Sequence, residues 1–157
     1  MMRHALAPGT GDPSNFDIDN CRTQRNLSAT GRQQAREIGA YLKDSFKHAE
    51  IGSVKVFSSQ WCRCKETARL LNLGEVVKLP IINSFFQNRS QGRPQTQALT
   101  TWLAEQDKQQ ITILVTHQVN ITALTGIFPN SGEMIVFTLD ENNTPRVITR
   151  LLPSKPA

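Results

Sequence analysis

Arg3-His4 opens this chain, Arg63 closes the run Ser58-Ser59-Gln60-Trp61-Cys62-Arg63, and His117 follows the apolar run Ile111–Val115 and Thr116. Each Arg or His ends an apolar stretch or begins a helix-like one. In open α/β sheets such positions lie at the carboxyl ends of strands, where sites are built. Two arginines and two histidines meeting there make a cationic pocket for one phosphoryl group. An imidazole is a competent nucleophile, and planar guanidinium forks match phosphate oxygens better than lysine does. The expected chemistry is phosphoryl transfer: neutral His4 attacks through Nε2, a phosphohistidine forms, and water then breaks it. Arg3 and Arg63 clamp the oxygens, and a protonated His117 adds a third cationic donor. Preorganised donors of this kind stabilise developing charge. With guanidiniums in that electrostatic role, no metal and no other cofactor is expected. One histidine at a strand end is more often a structural, hydrogen-bonded residue; the joint pattern with Arg3 and Arg63 reverses that weighting.

A second tier of residues follows from position alone. Thr10 and Asn15 lie in the polar loop that leaves His4, and Arg89 and Arg93 in a stretch able to overhang the pocket. Gln118 and Val119 begin a helix-like run, so their backbone N–H groups would face the anion. Other residues read as structural: His48 follows Lys47 near a helix end, where it favours the dipole. Trp61 and Trp102 have helical spacing that assigns them to the core.

The elements that would position these groups alternate. Ala7 to Gln24 is a long turn-rich loop carrying Pro8, Gly9, Gly11, Asp12, Pro13, Ser14 and Asn15, and loops of this length are usually functional or mobile. Ser28 to about His48 has helical spacing through Ala35, Ile38, Leu42 and Phe46, with Ser28 or Thr30 as its cap. Ser53–Phe57 reads as a strand, Gln60–Leu71 as a helix, Val76–Leu79 as a short strand, and Ile81–Gly92 as a loop. Pro94 suits a helix start leading into Ala98, Leu99, Trp102 and Leu103. Ile111–Thr116 reads as a central buried strand, Val119–Leu124 as a short helix. Met134–Leu139 and Val147–Leu152 read as two strands about a turn at 141–145. The tail Pro153–Ala157 is expected to fray. Strands alternating with helices predict one α/β domain over residues 1–157, a three-layer α/β/α sandwich on a mostly parallel sheet.

Four features in order resemble the histidine phosphatase superfamily, which includes phosphoglycerate mutases and small phosphohistidine phosphatases. They are Arg3-His4-Ala5, the Ser-x-x-x-Arg-x-x-x-Thr-Ala pattern from Ser59 to Ala68, the strand ending Val115-Thr116-His117, and Leu27-x-x-x-Gly31. The resemblance implies a phosphoglycerate mutase-like fold and a phosphoric monoester hydrolase acting through phosphohistidine. It also implies an apolar strand before Arg3, where this chain offers Met1-Met2. Many relatives carry a glutamate after the third strand to protonate the leaving oxygen. The corresponding stretch here, Asn83-Ser84-Phe85-Phe86-Gln87-Asn88, has no carboxylate. Asp12, Asp17, Asp19 and Glu133 are the substitutes to consider. An alkoxide needs protonation whereas the imidazole leaving phosphohistidine needs less help. The short chain and absent acid therefore resemble the small phosphohistidine phosphatases more than the mutases.

Composition narrows the partners. The 157 residues carry 38% hydrophobic and 20% charged side chains and a formal charge of +5. The Lys and Arg residues are scattered without a stripe or interleaved aromatics, so the excess suits small phosphorylated anions rather than nucleic acid. No apolar run is long enough to span a bilayer, and no apolar segment before Arg3 marks a signal peptide. The compartment is cytoplasmic by default, periplasmic or secreted if an N-terminal segment is missing. Cys21, Cys62 and Cys64 are read as three buried or half-buried thiols, with a Cys21–Cys62 or Cys21–Cys64 bridge open to a protein working outside the cytoplasm. The expected partner is a phosphorylated small molecule or phosphoprotein. Two alternatives stay open: a non-catalytic phosphate- or phosphoprotein-binding module of the same fold, and a sugar-phosphate phosphatase acting on envelope heptose phosphate.

Overall fold

The computed structural model describes residues 1–152; the tail expected to fray lies outside them. In chain order the elements are β1 (Met2–Arg3), α1 (Ala29–His48), β2 (Val54–Ser58), α2 (Cys62–Leu71), β3 (Val76–Lys78), α3 (Gly92–Ala104), β4 (Ile111–Thr116), α4 (Gln118–Thr125), β5 (Met134–Leu139) and β6 (Pro145–Leu151). They form one mixed sheet of order β3-β2-β4-β1-β5-β6. The first four in that order run parallel; β5 and β6 add an antiparallel edge.

Alternation along the strands makes the three layers. Met2, Val56, Ile113, Val115 and Met134 pack with Ile38 and Leu42 of α1 and with Ala68 and Leu71 of α2. Leu114 and Ile135 turn the other way, onto Leu99 of α3 and Ile121 of α4. A period of two on the strands and 3.6 on the helices buries both faces of the central strands β1 and β4, while the edge strands β3 and β6 stay largely exposed. The predicted three-layer α/β/α architecture is the one observed.

Local chemistry sets the helix that flanks the site. The Ser28 hydroxyl accepts from Gly31 N at 3.0 Å and caps α1. Gly31 is required for packing: a Cβ there would lie 2.0 Å from the Leu6 carbonyl oxygen. That contact explains the Leu-x-x-x-Gly spacing, because α1 must approach the chain leaving β1 without a side chain between them. Farther along, a Cβ on Gly39 would meet Leu71 O at 2.2 Å, so α1 and α2 also touch through backbone.

Boundaries differ from the sequence reading where backbone donors decide them. α3 begins at Gly92, two residues before Pro94, because first-turn N–H groups have no intrahelical acceptor for proline to remove. The 81–92 stretch is not featureless; 3₁₀ turns at Pro80–Ile82 and Arg89–Gln91 tighten it. β1 is two residues long and pairs with β4 only at Met2–Val115 and Arg3–Thr116. The amino-terminal half of β4 therefore has no neighbour on that side, and Ile111 is exposed. Among the described residues, no helix is long and apolar enough to cross a membrane.

Candidate active site

His4 leaves the carboxyl end of β1, its N–H donating to Thr116 O at 2.9 Å and its own carbonyl accepting from Gly132 N at 3.1 Å. Both backbone groups are thereby fixed before any side chain is considered. The imidazole is buried, and Nδ1 lies 2.8 Å from the Ala5 carbonyl. A carbonyl only accepts, so Nδ1 carries the proton and Nε2 holds the lone pair. Facing that lone pair is Arg63 Nε, 3.3 Å away.

The Ser59-to-Ala68 pattern is a bridge between elements. Thr67 Oγ1 accepts from Ala5 N at 3.0 Å and donates to Arg63 O at 2.7 Å. One hydroxyl thus ties the turn of α2 bearing Arg63 to the residue after His4. Ser59, fixed by its N–H on Val115 O, puts its hydroxyl 2.8 Å from His117 Nε2. His117 ends β4 as the residue before α4, and its ring meets that of His4 edge-on with centroids 5.7 Å apart.

These groups line a cleft of about 320 Å³ together with Arg3, Thr10, Asp12, Arg25, Trp61, Arg89, Gln118 and others. Arg3, His4, Arg63 and His117, remote in sequence, all contribute to its wall. So do Thr10, Gln118 and Arg89 of the second tier; Arg89 sits over the Phe86 ring with its guanidinium carbon 5.0 Å from the centroid. Asn15 does not. The loop turns at Pro13–Phe16, leaving Asn15 exposed outside the cleft while Phe16 stacks on Trp61 at 4.9 Å. Arg93 lies on exposed α3 surface away from the cleft. Trp102 packs against Phe57 as a core residue, but Trp61 is both core and cleft wall, with its ring 5.3 Å from His117.

Arg25 escaped the sequence reading altogether, while Ser59, Asn83 and Asp12 take roles at the site other than those it gave them. Arg25 lines the cleft and is held by Gly11 O at 2.8 Å and by Ala7 O. Burial, then the charge of Arg63, lowers it to about 10, so it stays cationic at neutral pH. Ser59 anchors His117, and Asn83 in turn meets Ser59 Oγ at 3.2 Å. Asp12 Oδ1 and Oδ2 accept from Arg63 NH1 and NH2 at 2.7 and 3.2 Å. Asp12 is no free acid: burial favours its neutral form, but the hydrogen bonds from Arg63 and Arg25 N overcome this and hold the carboxyl below its ordinary value. Asp17 and Asp19 are exposed and outside the cleft. Glu133 is engaged by Arg150 at 2.6 Å, which with Asn130 N holds it low. None of the carboxylates considered as proton donors is a free acid in the cleft.

The expectation of a protonated His117 also needs correction. Burial first, then the neighbouring His4 and Arg63, pushes it well below the usual imidazole range. Burial and Arg63 do the same to His4, against the Ala5 hydrogen bond. Both rings are thereby held neutral at pH 7, which suits His4 as a candidate nucleophile. The reading of three free thiols is corrected too: Cys21 and Cys62 are bonded, with Cα atoms 5.7 Å apart, and only Cys64 is free. Burial raises the Cys64 thiol to about 12, so it is inert as a thiolate. No group of three His, Cys, Asp or Glu able to hold a metal ion is gathered among the described residues.

Residues 2–98 match the family model of the histidine phosphatase superfamily, branch 1. This chain belongs to that superfamily. Among solved structures, the protein histidine phosphatase SixA complexed with tungstate superposes with a TM-score of 0.63 at 17% identity, covering 97% of this chain and 94% of that one. A SixA protein from Agrobacterium tumefaciens, itself only provisionally assigned as a phosphohistidine phosphatase, gives 0.59 at 20% identity, covering 96% and 94%. A phosphoserine phosphatase mutant from Entamoeba histolytica, in complex with phosphoserine, gives 0.60 at 14%, covering 95% and 93%. At such identities the likeness is one of fold. No curated protein matches the chain by sequence.

Proposed function

We propose that the chain is a metal-independent phosphatase that works through a phosphohistidine on His4. The observation that carries this reading is the His4 geometry. With Nδ1–H committed to the Ala5 carbonyl, the Nε2 lone pair faces Arg63 Nε inside a cleft shared with Arg3 and Arg25. Arg3 adds support: one amino group donates to Pro129 O at 2.9 Å, while its buried Nε has no partner among the described residues. An unsatisfied buried donor costs about 1–3 kcal/mol, and an oxyanion in the cleft supplies the missing acceptor.

In the first half-reaction Nε2 attacks phosphorus in line, the N–P bond forms, and the bond to the leaving atom breaks with its electron pair. In the second, water attacks phosphorus, the N–P bond returns its pair to Nε2, and inorganic phosphate leaves. The guanidiniums neutralise the three peripheral oxygens, the role a divalent cation takes in other phosphatases. His117, whose Nε2 meets the Ser59 hydroxyl at 2.8 Å, adds a neutral imidazole to the same wall.

The leaving-group side favours substrates that depart without a strong acid, because among the described residues the only carboxylate in the cleft wall is the ion-paired Asp12. Aryl phosphates and phosphohistidine meet that condition; simple alkyl phosphates do not. The SixA-like fold and the description of those proteins as histidine phosphatases point the same way. The test is trapping. Incubation with a labelled phosphodonor in the presence of EDTA, followed by alkaline quench, is expected to leave acid-labile phosphate on His4. Label on another residue, or turnover that EDTA abolishes, rejects the reading.

A further inference from the structure

We propose that Asp12 is a positioning residue for phosphoryl transfer: its carboxylate grips one edge of the Arg63 guanidinium and thereby aims the other edge at the phosphorus bound beside His4. The proposal rests on the phosphatase reading above and adds a role to a loop residue.

The donors of Arg63 can be followed one by one. NH1 gives its hydrogens to Asp12 Oδ1 at 2.7 Å and to Arg25 O at 3.2 Å. NH2 gives one to Asp12 Oδ2 at 3.2 Å. Nε points at His4 Nε2, 3.3 Å away. The end-on fork is therefore taken by protein, and the side-on fork, Nε with the second NH2 hydrogen, is what remains for a ligand. That fork already faces the nucleophile. A phosphate oxygen replacing the weak Nε contact would receive two parallel hydrogen bonds with no rotation of the side chain, which is how a guanidinium gains most per bond formed.

Asp12 is itself held on several sides. Its Oδ1 accepts from Arg25 N at 3.0 Å and its Oδ2 from Trp61 Nε1 at 3.0 Å. Its side chain and that of Arg63 are 7% and 3% exposed, so the pair is largely withdrawn from solvent at the cleft wall. A buried carboxylate and guanidinium are weak evidence for stability, which makes a functional reason for their retention worth seeking. The charge around the cleft stays positive with Asp12 in place: Arg3, Arg25, Arg63 and Arg89 outnumber it around neutral histidines, as a phosphoryl dianion requires.

A positioning role differs measurably from a purely structural one and from proton donation. With p-nitrophenyl phosphate as probe, Asp12→Asn is expected to lower kcat about 100-fold, the scale of a misaimed catalytic group, with a smaller change in KM. In an Arg63→Ala background the same substitution is expected to change kcat less than about threefold, because the residue through which Asp12 acts is gone. The loss is expected to be equal for p-nitrophenyl and phenyl phosphate, since an acid would matter more for the poorer leaving group. If Asp12→Asn melts below assay temperature, Asp12→Glu keeps the charge, shifts it by one methylene, and is read in the same two backgrounds. A folded Asp12 variant with kcat within threefold of wild type overturns the proposal, and so does a full loss persisting without Arg63. Both outcomes leave the His4 reading intact. Wild-type protein that neither turns over the probe nor labels His4 overturns the two together.

Discussion

Two clefts open at opposite ends of the same sheet, and their chemistry is opposite. At the carboxyl ends of β1, β2 and β4 the walls are Arg3, His4, Arg25, Arg63 and His117, closed in by the Ala7–Gln24 loop. At the other end a larger cleft of about 380 Å³ lies between β4 and β5, where β1 is too short to reach. Its walls include Leu42, Phe46, Ile113, Leu114, Ile135 and Phe137. Size would choose the second; reactivity chooses the first. The apolar cleft holds no histidine or arginine. The difference teaches that strand direction selects the end of a parallel sheet where helix starts and strand-end loops can gather polar donors.

That contrast can be broken by substitution at either end. The largest effect belongs to His4→Ala, expected to abolish labelling and lower kcat/KM at least about 10⁴-fold, as removal of a covalent nucleophile does. Steady-state rates with an aryl phosphate check it. Arg63→Ala is expected to lower kcat about 100- to 1,000-fold, the range for losing an oxyanion donor, with the circular dichroism spectrum unchanged. At the apolar end, Ile113→Ala is expected to destabilise the fold by about 2–3 kcal/mol, the lower part of the range because the site already borders a cleft. Denaturant titration measures that loss, and kcat of the folded fraction should stay within twofold. Activity lost in Ile113→Ala at full folding would merge the two ends into one functional unit.

Acid separates the ends more gently. His4 and His117 are buried neutral, so their folded values lie below the unfolded value near 6.5. The unfolded chain binds protons first as pH falls. Stability is therefore full above about pH 6.5 and declines below it, before the carboxylates titrate. Melting temperature followed from pH 7.5 to 5 should fall in wild type and fall less in His117→Gln.

The gathering of Arg3, His4, Arg63 and His117 at one cleft was legible because each is fixed by its neighbours in sequence. Arg3, His4 and His117 lie at the ends of apolar strands, and Arg63 and Thr67 share one face of α2 with Ser59 four residues before Arg63, just past the end of β2. Such local registers survive folding unchanged. Asp12 and Arg25 lie in a loop without period, and only the tertiary path of that loop brings them to Arg63. Asn15 fails for the same reason, since a turn at Pro13 carries it outward. The charge state of His117 was beyond sequence because burial, a property of the whole fold, decides it. Cysteine pairing likewise depends on where the loop crosses α2.

The Cys21–Cys62 bond has a consequence for the rim of the cleft. It anchors the loop carrying Asp12 to the very helix that carries Arg63, and Gln24 Oε1 accepting from Cys62 N at 2.9 Å adds a second rivet beside it. Phe86 and Phe128, both exposed, line the same cleft with Arg89, and that part of its rim carries no such covalent tie.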